Sequence, residues 1–193
     1  FSFDNESLVF QSNNKAWGLG CDQIFFSPIE NFRGTEYKPQ MVSTGLGRTT
    51  CSYFMPGDST MLYASTHLGN KECPPAPETN GVYLWPIYED FDIFVTDKKG
   101  KIVKQLTNEP GYDAEATVSP DGKSIVFTST RSGDLELYIM DIDGNNVRQI
   151  TNQLGYDGGA FFSPDSKKLV FRSSRPKTEE DIKRYKGYLS QNL

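Results

Sequence analysis

The segment TNEPGYDAEATVSPDGKSIVFTSTRSG, which begins at Thr107, is followed by a second version of itself, TNQLGYDGGAFFSPDSKKLVFRSSRPK, which begins at Thr151. The two align without a gap. Thr107 matches Thr151, Asp113 matches Asp157, Pro120 matches Pro164 and Phe127 matches Phe171, each pair 44 residues apart. A repeat of this length restricts the chain to solenoids, propellers or arrays, because one unit alone cannot bury its apolar faces and must stack on its neighbours.

Two earlier copies emerge when insertions are allowed. TCSYFMPGDSTMLYASTHLG, from Thr50, places Pro56 on Pro120 and Tyr63 on Phe127, and FSFDNESLVFQSN places Asp4 on Asp121 and Phe10 on Phe127. The spacing from Phe10 to Tyr63 is 53 and from Tyr63 to Phe127 is 64, so the first two units carry 9 and 20 residues beyond the 44-residue period. Those extra residues are expected in loops.

Each unit has the same local grammar. A first strand runs into Ser119-Pro120-Asp121-Gly122, where Pro fixes φ and Gly accepts the left-handed conformation that turns the chain. A second strand, 124–129, and a third, 135–141, follow; Asp143-Gly144 turns the chain into a fourth, 147–151. The first two units show the same third-strand pattern in Gln23-Ile24-Phe25-Phe26 and Asp92-Ile93-Phe94-Val95. Four short antiparallel strands per unit predict the blade of a β-propeller. Composition agrees: aromatics are 13% of residues, and 17 Gly with 11 Pro suit tight turns better than helices.

The combination of SPDG or SPDS, a strand ending in Phe-x-Ser, and LYIMDIDGNNVRQIT resembles the TolB-like (PD40/WD40-like) propeller repeat, which also occurs in the propellers of prolyl-oligopeptidase-like enzymes. The resemblance covers nearly the whole chain. It implies an all-β propeller of four-stranded antiparallel blades, with about three and a half blades present out of a six- to eight-bladed ring. The expected divisions are blade 1 at 1–44, blade 2 at 45–108 with an insert at 68–90, blade 3 at 109–152, a partial blade 4 at 153–176 and a helical insert at 177–193. In that last segment Thr178 is a suitable N-cap, Glu179 and Glu180 sit in the first turn, and Ile182, Tyr185 and Leu189 share one face. No leader pattern is read at the start, where Phe1 already lies in a strand-like segment that is expected to continue upstream.

In a blade, the loop leading into the first strand and the loop joining the second and third strands share one face of the disc. That face collects the 68–90 insert, a smaller insert in blade 1 and the helix, and rigidly held loops are where binding concentrates. The expected partner-binding residues are Tyr112, Asp113, Glu115, Tyr156 and Asp157, with Arg131 and Arg175 at equivalent positions after the second strand. The Asp side chains could instead cap the turn, and the arginines could pair with them. Cys21, Cys51, Cys73 and the single histidine, His67, map to the same face. Three readings stay open: a disulfide, most simply Cys51 with Cys73; independent thiols; or a Cys/His metal site, although no structural-zinc spacing is present. No cofactor is expected, a bound calcium or zinc ion being the alternative.

Nucleophile elbows, P-loops and HExxH are missing from the sequence, and any Ser-His-Asp arrangement would rest on His67 alone. Catalysis within these residues is not expected. A formal charge of −5 provides no basic stripe for nucleic acid or an anionic membrane, and no apolar run is long enough for a membrane span. The resemblance implies a binding or assembly scaffold in the periplasm or another extracytoplasmic space, docking protein partners of a cell-envelope assembly. The alternative is a propeller that filters substrate for a hydrolase domain outside this chain.

Overall fold

Ser-Pro-Asp-Gly and its variants set the backbone of every unit. The computed structural model describes residues 1–31, 37–78 and 81–193. Asn5, Asp58, Gly122 and Ser166, which occupy the same place in the four units, all adopt left-handed φ values of 61°, 55°, 70° and 61°. Gly122 does so without a Cβ, whereas the other three tolerate the strain in a turn that joins two strands.

The strands on either side of these turns form four antiparallel sheets. The first contains β1 (Ser7–Ser12), β2 (Gln23–Pro28) and β3 (Gln40–Met41). The second contains β4 (Thr49–Phe54), β5 (Thr60–Ser65), β6 (Asp92–Asp97) and β7 (Ile102–Gln105). The third contains β8 (Asp113–Val118), β9 (Ser124–Ser129), β10 (Glu136–Asp141) and β11 (Arg148–Gln149). The fourth contains β12 (Asp157–Phe162) and β13 (Leu169–Ser173). β4 packs against β8 and β8 against β12, so these first strands are the inner ones about which the sheets fan. The architecture is an arc of a β-propeller.

Because each central sheet is covered on both sides, its second and third strands are buried almost throughout rather than alternating, while the fourth strands, β7 and β11, lie largely exposed at the outer edge. One core, between the second and third sheets, joins Leu62, Ile93 and Val95 to Val118, Ile125 and Phe127. Another joins Ile24 and Phe26 of the first sheet to Phe54, Met61 and Tyr63 of the second. Val126 and Leu137 meet Ala160 and Leu169 of the fourth. Among the described residues no sheet packs on the far side of β13, and Val170 is exposed where its counterpart Val126 is fully buried.

Helix α1 (Glu179–Leu189) starts at Thr178, whose hydroxyl accepts from the Asp181 N–H, as the sequence leads one to expect. Tyr185 and Leu189 pack onto the core face, and the Tyr185 hydroxyl donates to Asp134.

The repeat supplies its own control for core packing. Phe127 is wholly buried, while its counterpart Phe171 is 38% exposed. Phe127→Ala is expected to destabilise the protein by about 3–5 kcal/mol in denaturant unfolding, and Phe171→Ala by less than about half of that.

Candidate functional site

Each inner strand carries a β-bulge near its start. The register slips by one residue between Thr50 and Tyr53, between Ala114 and Thr117, and between Gly158 and Phe161. The bulged residues are equivalent in the repeat: Cys51, Glu115 and Gly159, with left-handed φ of 50°, 57° and 59°. A bulge re-aims the side chain of the residue it carries. Cys51 and Glu115 thereby line a cavity of about 330 Å3, walled also by Arg48, Trp85, Tyr112 and Tyr156.

Glu115 organises this cavity. Its carboxylate accepts from the Tyr156 hydroxyl at 2.8 Å, the Tyr112 hydroxyl at 3.3 Å, Thr128 Oγ1 at 3.0 Å and the Gly159 N–H at 2.6 Å. A Cβ at Gly158 would collide with both the Tyr156 hydroxyl and the Glu115 carboxylate, so the absent side chain makes room for this contact. Burial, and then the adjacent Glu115 charge, push the Tyr112 and Tyr156 phenols well above their ordinary range. Both are fixed as neutral donors.

The 68–90 insert closes the cavity from above. Trp85 packs edge-on against Tyr156 with ring centroids 5.4 Å apart, and Phe91 meets Tyr112 at 5.5 Å. Ile87 is buried, and its N–H donates to the Asn192 carbonyl beyond α1, while Asn192 Nδ2 donates to Glu89. Thr79 and Asn80 of the insert lie outside the described residues. At its other end the insert is covalently held: Cys73 is bonded to Cys21, with their Cα atoms 5.4 Å apart.

That bridge corrects the expected Cys51–Cys73 pairing. Cys21 and Cys73 both lie in loops between second and third strands, in adjacent sheets, and so meet at the same height on the disc. Cys51 sits on an inner strand, its bulge aims the thiol into the cavity, and its Sγ lies 3.2 Å from Thr50 Oγ1. Burial pushes the Cys51 thiol up, which makes it a poor nucleophile. The bridge also takes two members of the alternative metal set, Cys21 and Cys73. Among the described residues no three His, Cys, Asp or Glu side chains converge to hold a metal ion.

Of the expected partner-binding residues, Tyr112, Asp113, Tyr156 and Asp157 are buried rather than presented. Asp113 pairs with Arg131 at 2.6 Å and Asp157 with Arg175 at 2.7 Å. These pairs brace the sheet edges, as the structural alternative for the two arginines has it. His67 occupies the place of Arg131 in the second sheet. Its Nδ1 lies 2.9 Å from Ser65 Oγ, matching the 2.9 Å contact from Arg131 Nε to Ser129 Oγ, and its ring packs 4.5 Å from Phe94. Burial holds the imidazole below its usual range. Ser65 is itself fully buried, so the Ser-His pair is a brace and not a nucleophile with its base.

Sequence reasoning missed Trp85, Arg172 and the Arg48–Asp22 pair at 3.0 Å. The signal for the first was the apolar run Val82-Tyr83-Leu84-Trp85-Pro86-Ile87 inside an otherwise polar insert.

Residues 76–179 match the family described as the PD40 TolB beta propeller domain, more than half of the chain. The chain belongs to the TolB β-propeller family. Over 34 residues it is 50% identical to the Tol-Pal system protein TolB of Bordetella pertussis, a stretch that is 18% of this chain and 8% of that protein. A putative TolB from Agrobacterium tumefaciens superposes with a TM-score of 0.63 at 22% identity, over 91% of this chain and 53% of that one. TolB from Acinetobacter baumannii gives 0.62 at 20%, over 91% and 37%. Hydrazine synthase of Kuenenia stuttgartiensis gives 0.61 at 14%, over 89% and 28%. The chain thus spans about half the length of the Agrobacterium protein, or less in the others, and the structural likenesses establish the fold. Among the described residues no helix is long and apolar enough to cross a membrane.

Two measurements check the site's chemistry. Alkylation of the unfolded, unreduced protein should label Cys51 alone, and Cys73→Ser should free one further thiol, Cys21, so that two are labelled, while lowering stability by about 2–4 kcal/mol. Asp92, beside Asp113, is pushed up to about 6, first by burial. A carboxyl raised in the folded state contributes stability that is present below its unfolded value of 3.8 and is lost as pH rises through about 6. The melting temperature of Asp92→Asn, measured against the native protein, should therefore gain from pH 4 to about pH 6 and level off above it.

Proposed function

We propose that the protein is a non-catalytic binding propeller that docks a protein partner on the face carrying the 68–90 insert and α1. The observation that carries this reading is the bracing of that face: the Cys21–Cys73 bridge at one end of the insert and the Ile87–Asn192 hydrogen bond at the other hold two irregular segments as one surface. Ordering a loop before binding removes part of the entropy lost on association. The same insert leaves Tyr83 79% exposed, together with Leu68 and Val82. Exposed aromatic and aliphatic side chains on a rigid support suit a protein partner.

An extracytoplasmic location, the periplasm in a bacterium, fits a disulfide that spans 52 residues, since such bridges persist in oxidising compartments. The Bordetella relatives carry the name of a Tol-Pal system protein, and a cell-envelope protein assembly is the partner class we assign here. A catalytic role is disfavoured by the buried Ser65–His67 pair and the protonated Cys51 thiol.

Affinity purification from envelope extracts, with the partner quantified, tests the reading. Val82→Asp combined with Tyr83→Ala should reduce partner recovery about tenfold or more, whereas Val103→Asp and Val147→Asp, on exposed outer-edge positions, should leave it unchanged. Equal loss from both sets, or from neither, rejects docking on this face.

A further inference from the structure

Arg48, Arg131, Arg175 and Arg184 each pair with an aspartate. Arg172 forms no ion pair among the described residues. Its guanidinium instead lies over the Trp85 ring, 5.7 Å from the centroid. This position is the junction of two cavities. One is the Glu115 cavity; the other, about 210 Å3, lies between the insert and α1 and is walled by Trp85, Ile87, Leu135, Tyr185 and Tyr188. Arg172 lines both.

A guanidinium that lies over an indole and has no ion-pair partner among the described residues keeps N–H donors for an anion. The smaller cavity is mainly apolar, so the ligand must offer an apolar group within one residue's reach of its negative charge. Its volume falls below the roughly 300–1,000 Å3 of sites that enclose whole small molecules, and suits a single side chain. Glu115 and Asp22 border the larger cavity and would repel a doubly charged phosphate, which favours a singly charged carboxylate.

We propose that this junction captures the carboxyl-terminal residue of a partner polypeptide, with an apolar side chain in the insert–helix cavity and the α-carboxylate on Arg172. The inference rests on the protein-docking reading above and names the chemistry of its anchor.

Titration calorimetry of the protein with N-acetylated tetrapeptides ending in Leu or Phe, as free acids and as carboxamides, tests it. The free acids should bind, and amidation should weaken binding about tenfold or more, the loss of a charge-assisted pair. Arg172→Ala should weaken the free acids by the same factor without changing the amides, and Arg172→Lys should fall between. Arg172 is exposed, so these variants should melt with the native protein. No heat from any free-acid peptide at about 1 mM, equal affinity for acid and amide, or indifference to Arg172→Ala would each overturn the proposal. Binding of 4-methylpentanoate as tight as that of the Leu peptide would also overturn it, by assigning a small-molecule site. Peptide binding that persists in the Val82→Asp, Tyr83→Ala protein while partner recovery is also unchanged would separate this anchor from the failed docking surface.

Discussion

Where one sheet meets the next, the first residue of an inner strand donates its N–H to the carbonyl just before the third strand of the preceding sheet. Thr49 donates to Asp22, Asp113 to Phe91 and Asp157 to Leu135, at 3.1, 2.9 and 2.9 Å. Around each of these bonds lies the same set of polar side chains. A hydroxyl, from Ser43, Thr107 or Thr151, accepts the N–H of the second residue of the third strand. Beside it sit Gln23, Asp92 or Glu136 at the head of that strand, and His67, Arg131 or Arg175 after the next sheet's second strand. Sheets that share only apolar faces could slide or rotate; buried, directional hydrogen bonds fix their angle and height.

The charge of this junction changes along the arc while its geometry holds. Between the first and second sheets it is Gln23, Thr49 and His67, all neutral. In the next two it holds two carboxylates and one guanidinium, and burial raises Asp92, Asp113 and Glu136 above the ordinary carboxylate range. Removing one partner of such a buried pair leaves an uncompensated charge, which explains how a neutral set can replace an ionic one only as a group.

Because the junctions fix the height of every loop, the face above the inner strands is a platform on which irregular sequence can be laid without disturbing the sheets. The insert crosses that platform from Cys21 in the first sheet to Asn192 beyond α1. Its aromatic run covers the Glu115 cavity. The bulge at the start of each inner strand then decides what the cavity contains, since a left-handed residue there points its side chain inward. A thiol, a carboxylate and a bare glycine, Gly159, stand at the three equivalent places. Gly158, the residue before that glycine, leaves space for the carboxylate, and the carboxylate holds the two tyrosines.

The 44-residue period, the Ser-Pro-Asp-Gly turns and the Thr178 cap determined the fold class, the strand order within a blade and the terminal helix, because turns and caps are set by residues close in sequence. The equivalence of Arg131 with Arg175, and of Asp113 with Asp157, was legible for the same reason. The pairing of Cys73 was not: the shorter loop to Cys51 is favoured by distance along the chain, while the bond to Cys21 depends on two loops from different sheets arriving side by side. Nor was the cavity. Its walls come from an inner-strand bulge, a 23-residue insert and an arginine of the last sheet, and which of these approach one another is decided only when the sheets stack at the angle their junctions impose.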